Sequence, residues 1–328
     1  MATNTQTTIY TAATPGGGSA PRTYLNKTYY DKNLLEMAKT KFVFAEYGQK
    51  RRIPAGAGKT VEFRRFNALS PSDAATALTE GVTPDGQDLS QAHVEVTCSQ
   101  YGGWVQVSDM LKKTSYDDIM TACTDLLGEQ LGTVLDWKVR DAMCSGLNVQ
   151  YAGGKASRAT VTATDVLKTE EIRKAVRTLK KKKARMFTRQ GGKPHFVCIC
   201  SPDATYDLQN DPVWQNVSQY SNAEQIYSGE IGRLFGVVFV ESTEAKVFED
   251  GGESSADVHT ALVFGKDSYG VVDIDGGGNV QSIVKGLGSA GTDDPLNQRA
   301  TVGAKVESFA ATILNGDWIV RIEHGVSA

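Results

Sequence analysis

The first candidates for chemistry are Gly58, Lys59 and Thr60, which match the end of a phosphate-binding loop. Such a loop would imply that the protein binds a nucleotide. Such a loop needs its first glycine where this chain has Ile53, and Val61 opens a strand-like run instead of a helix. Without a helix N-terminus there is no row of backbone amides to hold phosphates. A turn is therefore the better interpretation, and a nucleotide-dependent enzyme is kept only as an alternative.

Metal ligands and nucleophiles occur only in incomplete patterns. The run that starts at Asp273 resembles a calcium loop, but Gly277 and Val284 stand where ligands are needed. Cys198 and Cys200 would share one face of a strand without the two further ligands that zinc requires. No serine lies in a Gly-x-Ser-x-Gly motif. The sequence thus predicts no catalytic, metal or cofactor-binding residue, and no enzyme.

Composition is that of a protein with a sizeable core, at 328 residues, 40% hydrophobic and 22% charged. A net charge of −3 argues against a general nucleic-acid binder. No apolar run approaches the ~20 residues that span a bilayer, and residues 1–20 lack the features of a signal peptide. The five cysteines form no CxxC pair, which predicts synthesis in a reducing cytoplasm.

A long charged hairpin is predicted over residues 50–108. Strand-like alternation in 61–66, 94–98 and 104–108 brackets a stretch with many turn residues and little apolar content. A loop of that length inside a compact domain usually has a function. The first limb is basic, whereas residues 67–100 contain acids and no Lys or Arg. The limbs could pair within the hairpin, or each could meet a different neighbouring molecule. The candidate contact residues are Arg51, Arg52, Arg64, Arg65, Glu80, Asp85 and Asp88.

Apolar residues at every fourth position predict a long helix over 115–145, roughly 45 Å in length. Ser115 and Asp118 are spaced as in a capping box at its start. Gly128 and Gly132 are expected where the helix bends or packs closely on strands. A second helix over 164–183 ends in Lys180-Lys-Lys-Lys183, which either complements the helix dipole or forms a nucleic-acid patch.

Short strands are predicted at 196–200, 231–241, 261–264 and 271–283, in a mixed α/β block with its own core. Residues 1–26 are rich in Thr, Ala and Gly and cannot form a core alone. They are either a disordered tail or an arm that becomes ordered against a neighbouring molecule.

Several stretches resemble the major capsid proteins of tailed bacteriophages, in the podophage N-four type coat family, and the resemblance spans nearly the whole chain. These stretches are Tyr29–Leu35, Phe44–Lys50, Leu78–Gly86, Gln100–Val105 and Asp294–Val302. The resemblance implies an α+β chain with the Hong Kong phage capsid fold. The domains it implies are an N-terminal arm (1–30), a short helix and connection (31–49), an extended β-hairpin loop (50–108), a peripheral domain with a spine helix (109–202), an axial domain (203–295) and a return strand of the peripheral domain (296–328).

The same resemblance implies a function and partners. The chain would assemble with itself into hexamers and pentamers of an icosahedral shell around double-stranded DNA, bound without sequence specificity. A portal protein and decoration or scaffolding proteins would be further partners, with no membrane and no cofactor. The protein would be made in the host bacterial cytoplasm and reside in the virion. The alternative within this fold is an encapsulin-type nanocompartment shell, which encloses an enzyme instead of DNA.

Overall fold

The computed structural model describes residues 43–54, 56–66, 69, 80–83, 86–116, 118–188, 193–218, 230–274, 281–289 and 291–327. All of these residues belong to one compact unit, residues 41–328. The predicted arm (1–30), a predicted short helix at 31–39 and Asp85 lie outside the described residues.

Strands and helices are mixed along this unit, as predicted for an α+β chain. The strands are β1 (Gln49–Ile53), β2 (Thr60–Phe66), β3 (Gln91–Thr97), β4 (Ser99–Ser108), β5 (Val149–Tyr151), β6 (Phe196–Cys200), β7 (Glu230–Leu234), β8 (Val237–Glu241), β9 (Val247–Phe248), β10 (Val258–Phe264), β11 (Tyr269–Ile274), β12 (Gln281–Lys285), β13 (Arg299–Ile313) and β14 (Ile319–His324). The helices are α1 (Asp109–Thr114), α2 (Ile119–Cys144), α3 (Thr169–Lys181), α4 (Pro202–Gln209) and α5 (Pro212–Ser218).

The first sheet is built around its longest strand, β13. The strand order is β1-β11-β13-β12, and β4 also pairs with β13. Every second residue of β13 from Ala300 to Val306 is buried, as expected for a strand with one face on a core. Leu127 and Leu131 of α2 belong to the same apolar cluster as Val302 and Ala304. The long helix therefore lies along the long strand, and the two elements hold each other straight.

The predicted long helix is confirmed as α2, which has 26 residues and a length of about 39 Å. It begins later than predicted, because Ser115 instead ends α1, where its N–H donates to the carbonyl of Leu111 at 2.9 Å. Asp118 is the N-cap residue of α2, but its carboxylate makes no capping hydrogen bond and accepts one from the Thr121 hydroxyl at 2.7 Å. The predicted capping box is therefore wrong, since its two residues serve two different helix ends.

The two glycines of α2 differ in their surroundings. Gly132 is buried, whereas a Cβ added at Gly128 would meet no atom within 4 Å. The prediction of close packing is wrong for Gly128. Gly128→Ala should raise the free energy of unfolding by ~1 kcal/mol, because glycine in a helix interior costs about that much relative to alanine. Denaturant unfolding measures this change, and a lower stability would show that the space beside Gly128 is not open.

The second sheet has seven strands in the order β5-β14-β10-β6-β8-β7, with β9 paired to β10. One face is covered by α3, which buries an apolar stripe of Ile172, Val176 and Leu179 against it. The opposite face packs against Val139 and Met143 of α2. The long helix thus contacts both sheets and joins their cores.

The position of β6 between two apolar clusters explains why its sequence is apolar throughout. Phe196, Cys198 and Cys200 lie in the cluster beneath α3, whereas Val197 and Ile199 lie in the cluster beneath α2. A strand covered on both faces must be apolar at every position. Ser201 caps α4, the helix that follows, since the N–H of Ala204 donates to Ser201 Oγ at 3.3 Å.

Each sheet combines elements from distant parts of the sequence. Both α3 and β6, predicted within the peripheral domain, contribute to the core of the second sheet. β13 and β14, predicted together as a return segment, lie in different sheets. The reason is pairing, because β14 is antiparallel to β10 from Ile319 to His324 and inserts between β10 and β5.

Candidate subunit interface

The predicted hairpin is present as the antiparallel pair β2–β3, with Thr60 opposite Thr97 and Phe66 opposite Gln91. Alternation gives the pair two different faces. Val61, Phe63 and Val96 on one face are half-buried against Ile53 and its apolar cluster. The opposite face presents charged residues to solvent. The apolar face therefore anchors this hairpin to the cluster, and the charged face is exposed to solvent.

The two flanks of the predicted hairpin (50–108) pair with strands of the first sheet. β1 pairs in parallel with β11 from Gln49 to Ile53, and β4 pairs with β13 from Ser99 to Ser108. Both strands therefore belong to the first sheet. They leave β2 and β3 as a separate two-stranded sheet.

The sequence that resembles a phosphate-binding loop is the turn between β1 and β2. Gly56 and Gly58 have φ values of 82° and 88°, a left-handed conformation that suits glycine. β2 begins at Thr60, directly after Lys59, so the helix that a phosphate loop requires does not follow. The interpretation as a turn is confirmed.

The basic limb is partly engaged within its own subunit. Arg64 donates to Glu62 at 2.8 Å, two residues earlier on the same strand. Arg65 donates to the side-chain oxygen of Asn315, and Arg52 lies 3.7 Å from Asp273. For Arg51, which is exposed, the described residues provide no ion-pair partner. None of these four arginines pairs with an acid of the other limb in the described part of the chain.

The acidic limb is exposed as well. Glu80, Asp88 and Glu95 all face solvent, and none forms an ion pair with any residue that the structure describes. Asp85 lies outside the described residues. Pairing of the two limbs within one hairpin is therefore not seen among the described residues.

Arginines of the basic limb line a cleft of about 510 Å³. Its wall includes Arg51, Arg52, Arg64 and Arg65 of β1 and β2 together with Arg185, which follows α3. We call this set of five residues the arginine cleft. Sequence reasoning missed Arg185, because it lies more than a hundred positions away and reaches the cleft only through the folding of the chain. Its neighbours Trp318 and Asp267 lie at 5.9 Å (guanidinium to ring centroid) and 3.8 Å (Nη1 to carboxylate).

The segment that follows the predicted arm is fixed to α2 by a buried carboxylate. The N–H groups of Val43 and Ala45 donate to Asp136 at 3.3 and 3.0 Å. The Tyr269 hydroxyl donates to the carbonyl of Phe44 between them. Burial raises the pKa of Asp136 above its usual range, and the backbone donors oppose that shift. These bonds hold residues 43–45 against α2.

In the described ranges, no group of His, Cys, Asp and Glu side chains is placed to hold a metal ion. No helix in this part of the chain is long and apolar enough to cross a membrane. The charged hairpin and the arginine cleft are thus the surfaces that best fit a functional role.

Comparisons with known proteins match this architecture. Residues 138–297, just under half of the chain, match the family described as phage capsid protein. The capsid asymmetric unit of cyanophage Pam1 is similar at a TM-score of 0.70 and 17% identity, over 95% of this chain and 100% of that one. The capsid of Ralstonia phage GP4 is similar at a TM-score of 0.70 and 16% identity, over 97% of this chain and 99% of that one. A Mycobacterium phage Che8 structure is similar at a TM-score of 0.61 and 16% identity, over 92% of this chain and 98% of that one. No curated protein matches the chain in sequence.

The solved structures share the fold along almost the entire chain, and this confirms the Hong Kong phage-type α+β fold that the resemblance implied. The similarities support neither the encapsulin alternative nor the nucleotide-dependent enzyme. The chain is thus similar to phage capsid proteins in sequence over residues 138–297 and in fold over nearly its whole length.

Proposed function

We propose that the chain assembles with itself, as hexamers and pentamers, into a closed icosahedral shell that encloses double-stranded DNA. The observation that most supports this proposal is the fold, which is similar to phage capsid structures over 95% and 97% of this chain. The role is structural, and the shell contacts its DNA without reading sequence.

In this proposal the hairpin and the arm (1–30) make contacts between neighbouring subunits. The charges that the hairpin keeps for external partners support this role. The contact residues are Arg51, Arg52, Arg64, Arg65, Glu80, Asp85 and Asp88. Single exposed ion pairs contribute only ~0–1 kcal/mol, but a closed shell repeats each contact in every subunit.

We further propose that the body divides by sheet. The first sheet with α2 forms the peripheral part, and the second sheet with α3 and α4 forms the axial part around the symmetry axes. A portal protein, decoration or scaffolding proteins and the packaged DNA are the other partners, met during assembly in the bacterial cytoplasm.

Replacing residues 67–90 by Asn-Gly should leave a folded subunit that makes no shells. Phe66 and Gln91 face each other in the β2–β3 ladder, so a two-residue turn can join them. The apolar cluster with Val61, Phe63 and Val96 stays covered, which a deletion of 56–100 would not achieve. Electron microscopy and light scattering measure shells, and thermal unfolding by circular dichroism measures the fold.

A control chain carries a Gly-Ser segment of the original length at 67–90. If only the length of the segment matters, this control should still form shells. Shell-sized particles from the Asn-Gly chain would contradict the proposed role of the hairpin, whereas failure of the unaltered chain to form shells would contradict self-assembly itself.

A further inference from the structure

We propose that the arginine cleft binds the acidic segment around Glu80 and Asp88 from the hairpin of a second copy of this chain. The inference rests on the proposed function, in which the hairpin meets neighbouring subunits, and it names the surface that receives it. Its two parts are a cationic cleft and an acidic segment that both keep unpaired charge in one subunit.

The charge of the cleft favours carboxylates. Two acids, Glu62 and Asp267, lie in its wall beside the five arginines. Each already has an arginine partner, since Glu62 accepts from Arg64 and Asp267 lies 3.8 Å from Arg185. The cleft therefore has excess positive charge, with Arg51 directed to no described acid. Guanidinium groups bind carboxylates through paired hydrogen bonds, which gives such contacts a defined geometry.

The apolar part of the cleft fits the same segment. Phe63, Leu314 and Trp318 contribute to its wall between the arginines. In the acidic limb, Val82 and Leu89 are 63% and 66% exposed, close in sequence to Glu80 and Asp88. A segment that alternates acidic and apolar residues can satisfy both kinds of surface.

The occupant must come from another molecule. Among the described residues of the segment 67–90 in its own chain, which are 69, 80–83 and 86–90, none lies in the wall of the cleft. Glu80 and Asp88 make no ion pair with the described residues of their own subunit. A second copy supplies one acidic segment for each cleft, so an assembly of identical subunits can pair them all. Nucleic acid is the competing occupant, but it would leave the acidic segment without a partner.

Charge reversal tests the pairing in the full-length protein. Arg51→Glu with Arg185→Glu should leave the melting temperature of the subunit unchanged and raise the concentration required for shell assembly about tenfold or more. Glu80→Lys with Asp88→Lys should do the same, and the four changes together should restore assembly. The matched control reverses two exposed charges outside the cleft, Lys168→Glu and Arg177→Glu, and should assemble normally.

A peptide of residues 78–90, labelled with a fluorophore, tests the same contact without shells. It should bind the unaltered subunit, lose binding in Arg51→Glu with Arg185→Glu, and bind less tightly as salt rises. Equal binding to the control and the cleft variant would overturn the inference, whether or not shells form. Cleft variants that assemble normally but package less DNA would overturn it in favour of nucleic acid.

Discussion

Replacing Glu323 by Gln should lower the free energy of unfolding by about 3–5 kcal/mol, because it leaves two arginines without their buried counter-charge. Glu323 is 0% exposed. Arg158 donates two hydrogen bonds to its carboxylate at 2.8 and 2.7 Å. Arg321 Nε lies 2.9 Å from the same carboxylate, in ion-pair contact. Denaturant unfolding at neutral pH measures the loss.

The expected loss of stability is large because the ion pair between Arg158 and Glu323 also joins two separate elements of the fold. Arg158 begins a short 3₁₀ turn, and its guanidinium lies 3.4 Å from the centroid of the Phe248 ring. The bonds to Glu323 raise the pKa of Arg158, so the cation is favoured in the folded state. Removing the carboxylate therefore releases this turn from β14 as well as leaving charge unpaired.

Glu307→Gln is the matched control, because it makes the same chemical change on an exposed strand position. Glu307 pairs with Lys305 at 2.8 Å, and both side chains are accessible to solvent. Exposed pairs of this kind contribute little to stability. If Glu323→Gln unfolds at the same denaturant concentration as Glu307→Gln, the buried group does not stabilise the fold as argued.

The second large effect is a loss of stability in mild acid, governed by His324. This side chain is completely buried, and burial lowers its pKa from 6.5 to about 4. Its Nδ1 donates to the carbonyl of Gly325 at 2.7 Å, and a carbonyl can only accept. Nδ1 therefore carries the proton of the neutral ring, and Nε2 has no hydrogen-bond partner in the described part of the chain.

The direction of the pH effect follows from this lowered pKa. Above pH 6.5 the histidine is neutral in both the folded and the unfolded chain, and its contribution is constant. Between pH 6.5 and about 4, His324 binds a proton in the unfolded chain but stays neutral in the folded protein. The free energy of unfolding should fall by about 3 kcal/mol over this window and level off below it.

His324→Asn isolates this contribution, because the amide still donates to the Gly325 carbonyl but does not titrate. Other groups near the ring, His259 and Asp207 among them, remain in both proteins. Unfolding free energies measured from pH 7.5 to 4 should therefore decline less steeply in the variant. Parallel curves for the two proteins would show that His324 is not the group responsible.

Much of this protein follows from local sequence alone. The four-residue apolar period predicts α2, because a helix returns to the same face about every 3.6 residues. The alternation in Val61–Phe66 and Val94–Cys98 predicts the hairpin, since strands repeat every two residues. The strand predicted at 196–200 is confirmed as β6. Each of these signals depends on neighbours within one element.

Only the tertiary structure decided which elements lie together. Nothing local indicates that β14 leaves the sheet of β13 to pair with β10, or that α3 and β6 share its core. The sequence also gives no sign that the space beside Gly128 is empty, or that Arg185 and Arg51 line the same cleft. These features arise from contacts between residues far apart in the chain, whose free energy depends on the packing of the whole fold. The sequence determined the elements and the separated charges, and the packing of two sheets on one helix brought those charges into a cleft.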